Sequence, residues 1–194
     1  MFNGIDMKPF KDYLDEINVP IFKGGANPEV YCDMDGVLVN LYKGIHQVIN
    51  NTNPSKDQMN AFFHSDAGTS KDFWANLPWQ KDGQALWKQL QRYDTHILSA
   101  CPSVCGKDIN VIKGKKEWCK KNLGIHPSRI HVVQRREKKD FAKEWESVRP
   151  GPAVILVDDN RKTCAEWEAA EGIAIHHTAS SKSIAQLKRH LDDG

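Results

Sequence analysis

Apolar residues fall into two kinds of run along this chain. Some recur every three or four positions, as on one face of a helix. Phe10, Tyr13, Leu14 and Ile17 form such a stripe, with Pro9 in its first turn and Pro20 beyond its end. Residues 37–50 carry Val37, Leu38, Leu41, Ile45 and Val48 and read as a second helix. Helices are also expected over residues 83–93 (Leu86, Trp87, Leu90) and over the lysine-rich stretch 108–122, with Gly124 as its stop. A further helix over 163–171 should stop at Gly172, and a last one, capped by Ser183, carries Ile184, Leu187 and Leu191. Other apolar residues come in short unbroken runs: residues 30–32, 95–98, 130–133, 153–157 and 173–176. A strand with one wet face alternates, so these runs predict strands covered on both faces. Residues 51–80 show no clear period; the polar stretches NTNPSKDQ and HSDAGTS separate Phe62-Phe63 from Phe73-Trp74.

Strands therefore alternate with helices. That order predicts an α/β fold: a Rossmann-like parallel sheet with helices on both faces and a small helical insertion. The expected organisation is an N-terminal helix and loop over 1–28, a core over 29–40 and 81–194, and a cap over 41–80. At 194 residues the chain suits one domain with such an insertion.

Composition narrows the function classes. The formal net charge is only +2, so no overall field calls for nucleic acid or an anionic membrane. The five cysteines (Cys32, Cys101, Cys105, Cys119, Cys164) are scattered, which argues against a disulfide framework or a zinc knuckle. No apolar run reaches spanning length, and the first residues carry charges where a secretory signal needs an apolar stretch. The expected location is the cytoplasm, with no membrane partner.

The chemistry lies where strands end. In an open parallel sheet, ligands bind beyond the carboxyl ends of the strands. The first strand runs into Asp33 and Asp35, the second into Ser99, and the fourth into Asp158 and Asp159. Acidic residues often end strands and Asp-Gly is common in turns, so Asp33-Met34-Asp35-Gly36 alone decides little. The ordered set is more specific. Four carboxylates in one cleft repel each other and repel phosphate, and Mg²⁺, an oxygen-seeking cation, resolves this. Four carboxylates, one Mg²⁺, one lysine and one added proton bring the formal charge to zero, so a phosphate can approach a carboxylate nucleophile. Asp33 and Asp35, two residues apart on an extended segment, can face one site while Gly36 lets the chain turn away. One can attack phosphorus while the other serves as acid and base.

The segment 33–38 resembles the first signature of the haloacid dehalogenase-like (HAD) superfamily. Ser99 resembles the second, Asp158-Asp159 the fourth, and the run Arg135-Arg136-Glu137-Lys138-Lys139 offers the lysine of the third. The resemblance covers roughly residues 29–178. It implies Asp33 as nucleophile and Mg²⁺ ligand, Asp35 as acid/base with its carbonyl on the metal, and Ser99 on the phosphoryl oxygens. It further implies Lys138, or else Lys139, as the neutralising cation, and Asp158 and Asp159 completing the metal site. A closer similarity is to 5′(3′)-deoxyribonucleotidases. It is carried by residues 33–39, Phe73-Trp74-Ala75-Asn76-Leu77-Pro78, Ile97-Leu98-Ser99-Ala100 and Lys115-Lys116-Glu117-Trp118. That similarity implies substrate contacts at Ala100 and Lys115, and aromatic packing on a base by Phe73 and Trp74, with Trp79 as a further candidate. Leu41 stands where those enzymes carry an aromatic residue, and Ala100-Cys101 replaces a Ser-Pro pair.

The expected partner is a small phosphate ester, foremost a nucleoside monophosphate. If Arg135, Arg136, Lys138, Lys139 and the lysines of 113–121 line a groove, a nucleic acid 3′ end is an alternative, as are sugar phosphates. Two non-enzyme readings remain: a phosphoacceptor domain, against which the order of the acidic motifs counts, and a silent binding module. His176 and His177 read as ordinary core or surface histidines.

Overall fold

Five strands form one parallel sheet in the computed structural model, which describes residues 29–102, 106–148 and 154–191. The strands are β1 (Val30–Cys32), β2 (Thr95–Cys101), β3 (Ile130–Gln134), β4 (Ile155–Asp158) and β5 (Ile173–His176), in the order β3-β2-β1-β4-β5. The expected N-terminal helix and loop, Cys105, Ala153 and the last three residues lie outside the described residues.

The unbroken apolar runs have a simple cause. Alternate residues of each strand enter two different cores. Val30, Cys32, Ile97, Ile155, Val157 and Ile175 face one, packed by α4 (Gly83–Leu90), α5 (Ile109–Leu123) and α8 (Ser180–Leu191) through Leu86, Trp118 and Leu187. Tyr31, Leu98, Val154 and Leu156 face the other, covered by Phe141 and Ala142 of α6 (Lys138–Val148) and Trp167 of α7 (Arg161–Glu168). The α/β fold with helices on both faces is thus the observed one. The chain moves outward from β1 through β2 to β3, then returns to place β4 on the other side of β1. The crevice between β1 and β4 is the switch point where such sheets bind ligands.

Three elements differ from expectation. The helix expected from residue 37 begins at Leu41 (α1, Leu41–Ile49). Residues 34–39 instead form a tight loop, with the Leu38 and Val39 N–H groups both donating to the Met34 carbonyl at 2.9 Å. Gly36 turns this loop at φ +77°, and Val37, Leu38 and Val39 are all buried in it, which imitates a helical stripe. The insertion holds α2 (Lys56–Phe63), opened by a Ser55/Gln58 capping box, and α3 (Lys71–Ala75). α6, which was not among the expected helices, follows a 3-10 turn at Arg135–Glu137. Smaller shifts occur at two helix ends. After α7 the left-handed residue is Glu171 (φ +68°); Gly172 is needed instead because a Cβ there would run into the Trp167 ring, 3.0 Å from Cε2. The last helix starts at Ser180, and Ser183 is buried within it, paired with His177 Nδ1 at 2.9 Å.

Candidate active site

Sheet register builds the centre of the site. Cys32 pairs with Val157 across β1 and β4, and the Asp33 N–H donates to the Val157 carbonyl at 2.8 Å. Asp33 and Asp158 therefore leave the two strands side by side, and Asp159 follows. One carboxylate oxygen from each of the three lies within 4.8 Å of the others. Lys138, first residue of α6, bridges two of them: its ammonium is 2.9 Å from Asp33 Oδ1 and 2.7 Å from Asp158 Oδ2. Asp158 Oδ1 accepts the Asn160 N–H at 2.8 Å. Of the two adjacent lysines, Lys138 is the buried one that meets the carboxylates; Lys139 is half-buried.

The charges strain against their surroundings. Burial pulls the Lys138 ammonium down, but Asp33 and Asp158 outweigh it and hold its pKa above the usual lysine value. Asp158 is raised, first by burial and then by Asp33, against the pull of Lys138. Asp159, though exposed at the cleft, is pushed up to about 7, first by the desolvation around it and then by the Asp33 and Asp158 charges. Three carboxylates crowded beside one ammonium are short of positive charge, and an all-oxygen donor set of this kind fits a hard divalent cation such as Mg²⁺.

Asp35 faces the same cleft but has a different partner. Lys115, fully buried on α5, directs its ammonium at Asp35 Oδ2, at Ser99 Oγ (2.9 Å) and at the Ala100 carbonyl (2.8 Å). The Trp74 ring lies beneath it, its centroid 4.8 Å from Nζ. All three ammonium hydrogens are thereby used. Asp35 Oδ1 is buried and has no hydrogen-bond partner among the described residues. Burial raises the Asp35 pKa, with Lys115 opposing and Asp33 reinforcing. A buried, unpartnered carboxyl oxygen is a favourable place for a proton.

This arrangement corrects two expectations. Ser99 does not end its strand: β2 continues to Cys101 because Ser99, Ala100 and Cys101 pair with Val132, Val133 and Gln134 of β3. Ser99 is completely buried, with its hydroxyl turned to Lys115. Lys115 likewise stands behind the cleft wall, not on it, since its donors are spent on the protein. Ala100, by contrast, does line the cleft.

The cleft above these groups has a volume of about 930 Å³. Its floor carries Asp33, Asp35, Asp158, Asp159 and Lys138. The aromatic side chains on its wall are Tyr42 and Phe63, with the Asn60 amide beside them. The expected aromatics are elsewhere. Trp74 is wholly buried, its indole N–H donating to the Gly68 carbonyl at 2.8 Å, because α3 is packed onto α5. Phe73 meets Phe62 edge to face in the insertion, centroids 4.9 Å apart. Trp79 packs on Trp118 at 4.8 Å. The S-x-x-Q pattern at Ser55 was the signal that could have located α2, and with it Asn60 and Phe63; Tyr42 sits one position after the Leu41 that took an expected aromatic place.

Other residues of the wall are Arg135, locked to Glu166 at 2.7 and 3.2 Å, Arg136, Asn160 and Thr163. The Thr163 hydroxyl is buried with no hydrogen-bond partner among the described residues. A second cavity, about 740 Å³, lies at the opposite end of the sheet beside Thr95 and contains none of the carboxylates. His176 Nε2 lies 3.0 Å from the Asp159 carbonyl, and Cys32, Cys101, Cys119 and Cys164 are buried. Among the described residues no helix is long and apolar enough to cross a membrane.

No family model and no curated protein matches this chain. Solved structures do overlay on it. A HAD-superfamily hydrolase of subfamily IA from Geobacter sulfurreducens is 15% identical, covering 86% of this chain and 98% of its own, with a TM-score of 0.48. The L-2-haloacid dehalogenase of Xanthobacter autotrophicus, with chloropropionic acid covalently bound, is 13% identical over 87% of this chain and 84% of its own, TM-score 0.46. A HAD family enzyme from Bacteroides thetaiotaomicron, in complex with magnesium and inorganic phosphate, is 12% identical over 79% and 96%, TM-score 0.41. At such identities and TM-scores the overlays say nothing about what this chain acts on.

Proposed function

We propose that this chain is a HAD-like, Mg²⁺-dependent phosphomonoester hydrolase that works through an aspartyl-phosphate, with (deoxy)nucleoside monophosphates as substrates. The observation that carries this reading is the meeting of Asp33, Asp158 and Asp159 within 4.8 Å, with Lys138 bridging the first two. Asp33, Asp158 and Asp159, with Asp35 through its backbone carbonyl, are the residues to hold Mg²⁺. When bound, the ion supplies positive charge to the phosphoryl oxygens and lets the anionic substrate approach the carboxylates.

The chain's own groups divide the remaining work. Lys138 forms an ion pair with Asp33 through Oδ1, and the other oxygen serves as nucleophile. That oxygen bonds to phosphorus as the ester oxygen leaves, and Asp35 hands its proton to the leaving oxygen. Asp35, now ionised, takes a proton from water. The water oxygen attacks phosphorus, the Asp33–phosphorus bond breaks, and phosphate departs with the carboxylate restored. The raised pKa of Asp35 supports its starting protonated. Lys115 and Ser99 act from behind, fixing Asp35 and the Ala100 carbonyl. Tyr42 and Phe63 offer flat apolar surface to a nucleobase, and Asn60 an amide for its edge.

The test is phosphate release from a panel of mononucleotides and p-nitrophenyl phosphate with Mg²⁺. Wild type should turn over at least one, and Asp33→Asn should reduce turnover at least about a thousandfold while melting as a folded protein. Comparable turnover by Asp33→Asn would mean that another group attacks phosphorus.

A further inference from the structure

Among the described residues, Arg136 is the only cation on the cleft wall without an ion pair. Lys138 is held by Asp33 and Asp158, and Arg135 by both oxygens of Glu166. Arg136 is exposed. It is the middle residue of the 3-10 turn Arg135–Glu137, which leads directly into Lys138. Glu137 closes that turn by accepting the Gln134 N–H at 3.0 Å, and Lys107 holds the same carboxylate at 3.0 Å. A guanidinium is thus presented from a braced turn on the cleft wall, with no ion pair or hydrogen bond among the described residues.

The cleft is far larger than a phosphate group needs; about 930 Å³ falls in the range, roughly 300–1,000 Å³, that takes a whole small molecule. On the hydrolase reading the reacting phosphate is met at the floor, where Lys138 lies on Asp33 and Asp158 and the carboxylates hold the divalent cation. A second phosphate on the same substrate meets its counter-charge at Arg136 on the wall, and a guanidinium fork matches phosphate oxygens in both shape and sign.

We propose that Arg136 binds a second phosphate of the substrate, so that small bisphosphorylated esters are preferred over their monophosphate counterparts. This rests on the hydrolase reading for the position of the first phosphate. It adds a substrate class and assigns the specificity to one residue.

The experiment compares thymidine 3′,5′-bisphosphate with thymidine 5′-monophosphate in the presence of Mg²⁺, for wild type, Arg136→Gln and Arg136→Lys. Wild type should show the higher kcat/KM on the bisphosphate, through a lower KM. Arg136→Gln should lower the bisphosphate-to-monophosphate ratio about tenfold or more, again in KM, as expected for loss of a charge-assisted pair. Arg136→Lys should keep part of the preference, because the charge remains and the fork is lost. A wild-type ratio at or below unity, or a ratio unchanged in Arg136→Gln, overturns the proposal. If neither nucleotide is hydrolysed, the hydrolase reading fails separately. Calorimetric binding of the same two nucleotides with Mg²⁺ then decides: tighter bisphosphate binding that Arg136→Gln abolishes upholds the anion site, and equal affinities in wild type reject it.

Discussion

Gly36→Ala probes the site without touching a charged group. Gly36 sits at φ +77°, and a Cβ added there would stand 2.7 Å from Asp159 Cγ, far inside van der Waals contact. Two costs follow. The left-handed backbone with a side chain costs about 1 kcal/mol. The Asp159 carboxylate must also be pushed away from Asp33 and Asp158, which disrupts the cation's donor set. Displacing a group that tunes a metal site costs roughly tenfold or more in affinity. At a Mg²⁺ concentration about 100 times the wild-type Kd, binding stabilises the fold by about 2.7 kcal/mol; a tenfold weaker site yields about 1.4 kcal/mol. For a chain of this size each kcal/mol moves Tm by about 2–4 °C, so the Mg²⁺-dependent rise should shrink by about 3–5 °C. The assay is thermal unfolding in EDTA and in Mg²⁺, for wild type, Gly36→Ala, Asp159→Ala and the double variant. If Gly36 acts through Asp159, the double variant responds to Mg²⁺ as Asp159→Ala does. A wild-type Mg²⁺ response in Gly36→Ala would refute the claim that Asp159 is a ligand kept in place by the missing Cβ.

Two further outcomes can be measured on the same material. Lys138→Met leaves the buried Asp33 and Asp158 carboxylates without their shared cation, so urea unfolding in EDTA should show a loss of about 3–5 kcal/mol; a loss below about 1 kcal/mol would contradict the bridging role. The metal-free site also predicts a pH dependence. A carboxyl whose folded pKa exceeds its unfolded value keeps a proton that the unfolded chain has released, so the folded state is favoured least once pH passes the folded pKa. Asp158 and Asp159 are both raised, Asp159 to about 7, so their penalty grows as pH climbs from about 4 through about 7. Mg²⁺ binds the ionised carboxylates, and the Tm gain over EDTA should therefore increase from about pH 5 to about pH 7.5; a gain that shrinks over this range would show that the repulsion is absent.

Much of this geometry could be read from the chain because burial on two sides leaves a plain mark. Val154 to Val157 are apolar without a break, so the polar step at Asp158 stands out as a strand end, and its pairing with β1 puts it beside Asp33. The same burial misled at residues 37–39. Three successive apolar side chains are buried by a turn there, and spacing alone does not tell a packed loop from a helix. α6 was missed although Phe141, Ala142, Trp145 and Val148 recur at helical spacing, because they stand among Lys138, Lys139, Asp140, Lys143, Glu144 and Glu146, which dilute the stripe. Lys138 was expected as the neutralising cation with Lys139 as the alternative, and about 100° of helical rotation between neighbours turns the first to the carboxylates and the second away. Aromatic residues were the least legible. Trp74 and Phe63 lie in similar polar surroundings in the chain, and only the contact of α3 with α5 buries one while the other faces the cleft.

The two buried lysines do different work, and the difference explains Ser99. On the hydrolase reading, Lys138 compensates carboxylates that stay ionised, while Lys115 touches the carboxyl group that exchanges a proton, and a cation there favours the ionised form. Burial of Asp35 outweighs that pull and leaves its pKa raised. The balance holds only while the Lys115 charge is shared out. Ser99 Oγ and the Ala100 carbonyl each accept one of its hydrogens, so the ammonium is solvated by the protein and not committed to Asp35 alone. Removing the Ser99 hydroxyl would concentrate the ammonium on Asp35, lower its pKa and weaken it as an acid. On the hydrolase reading the serine therefore serves the proton donor through a lysine.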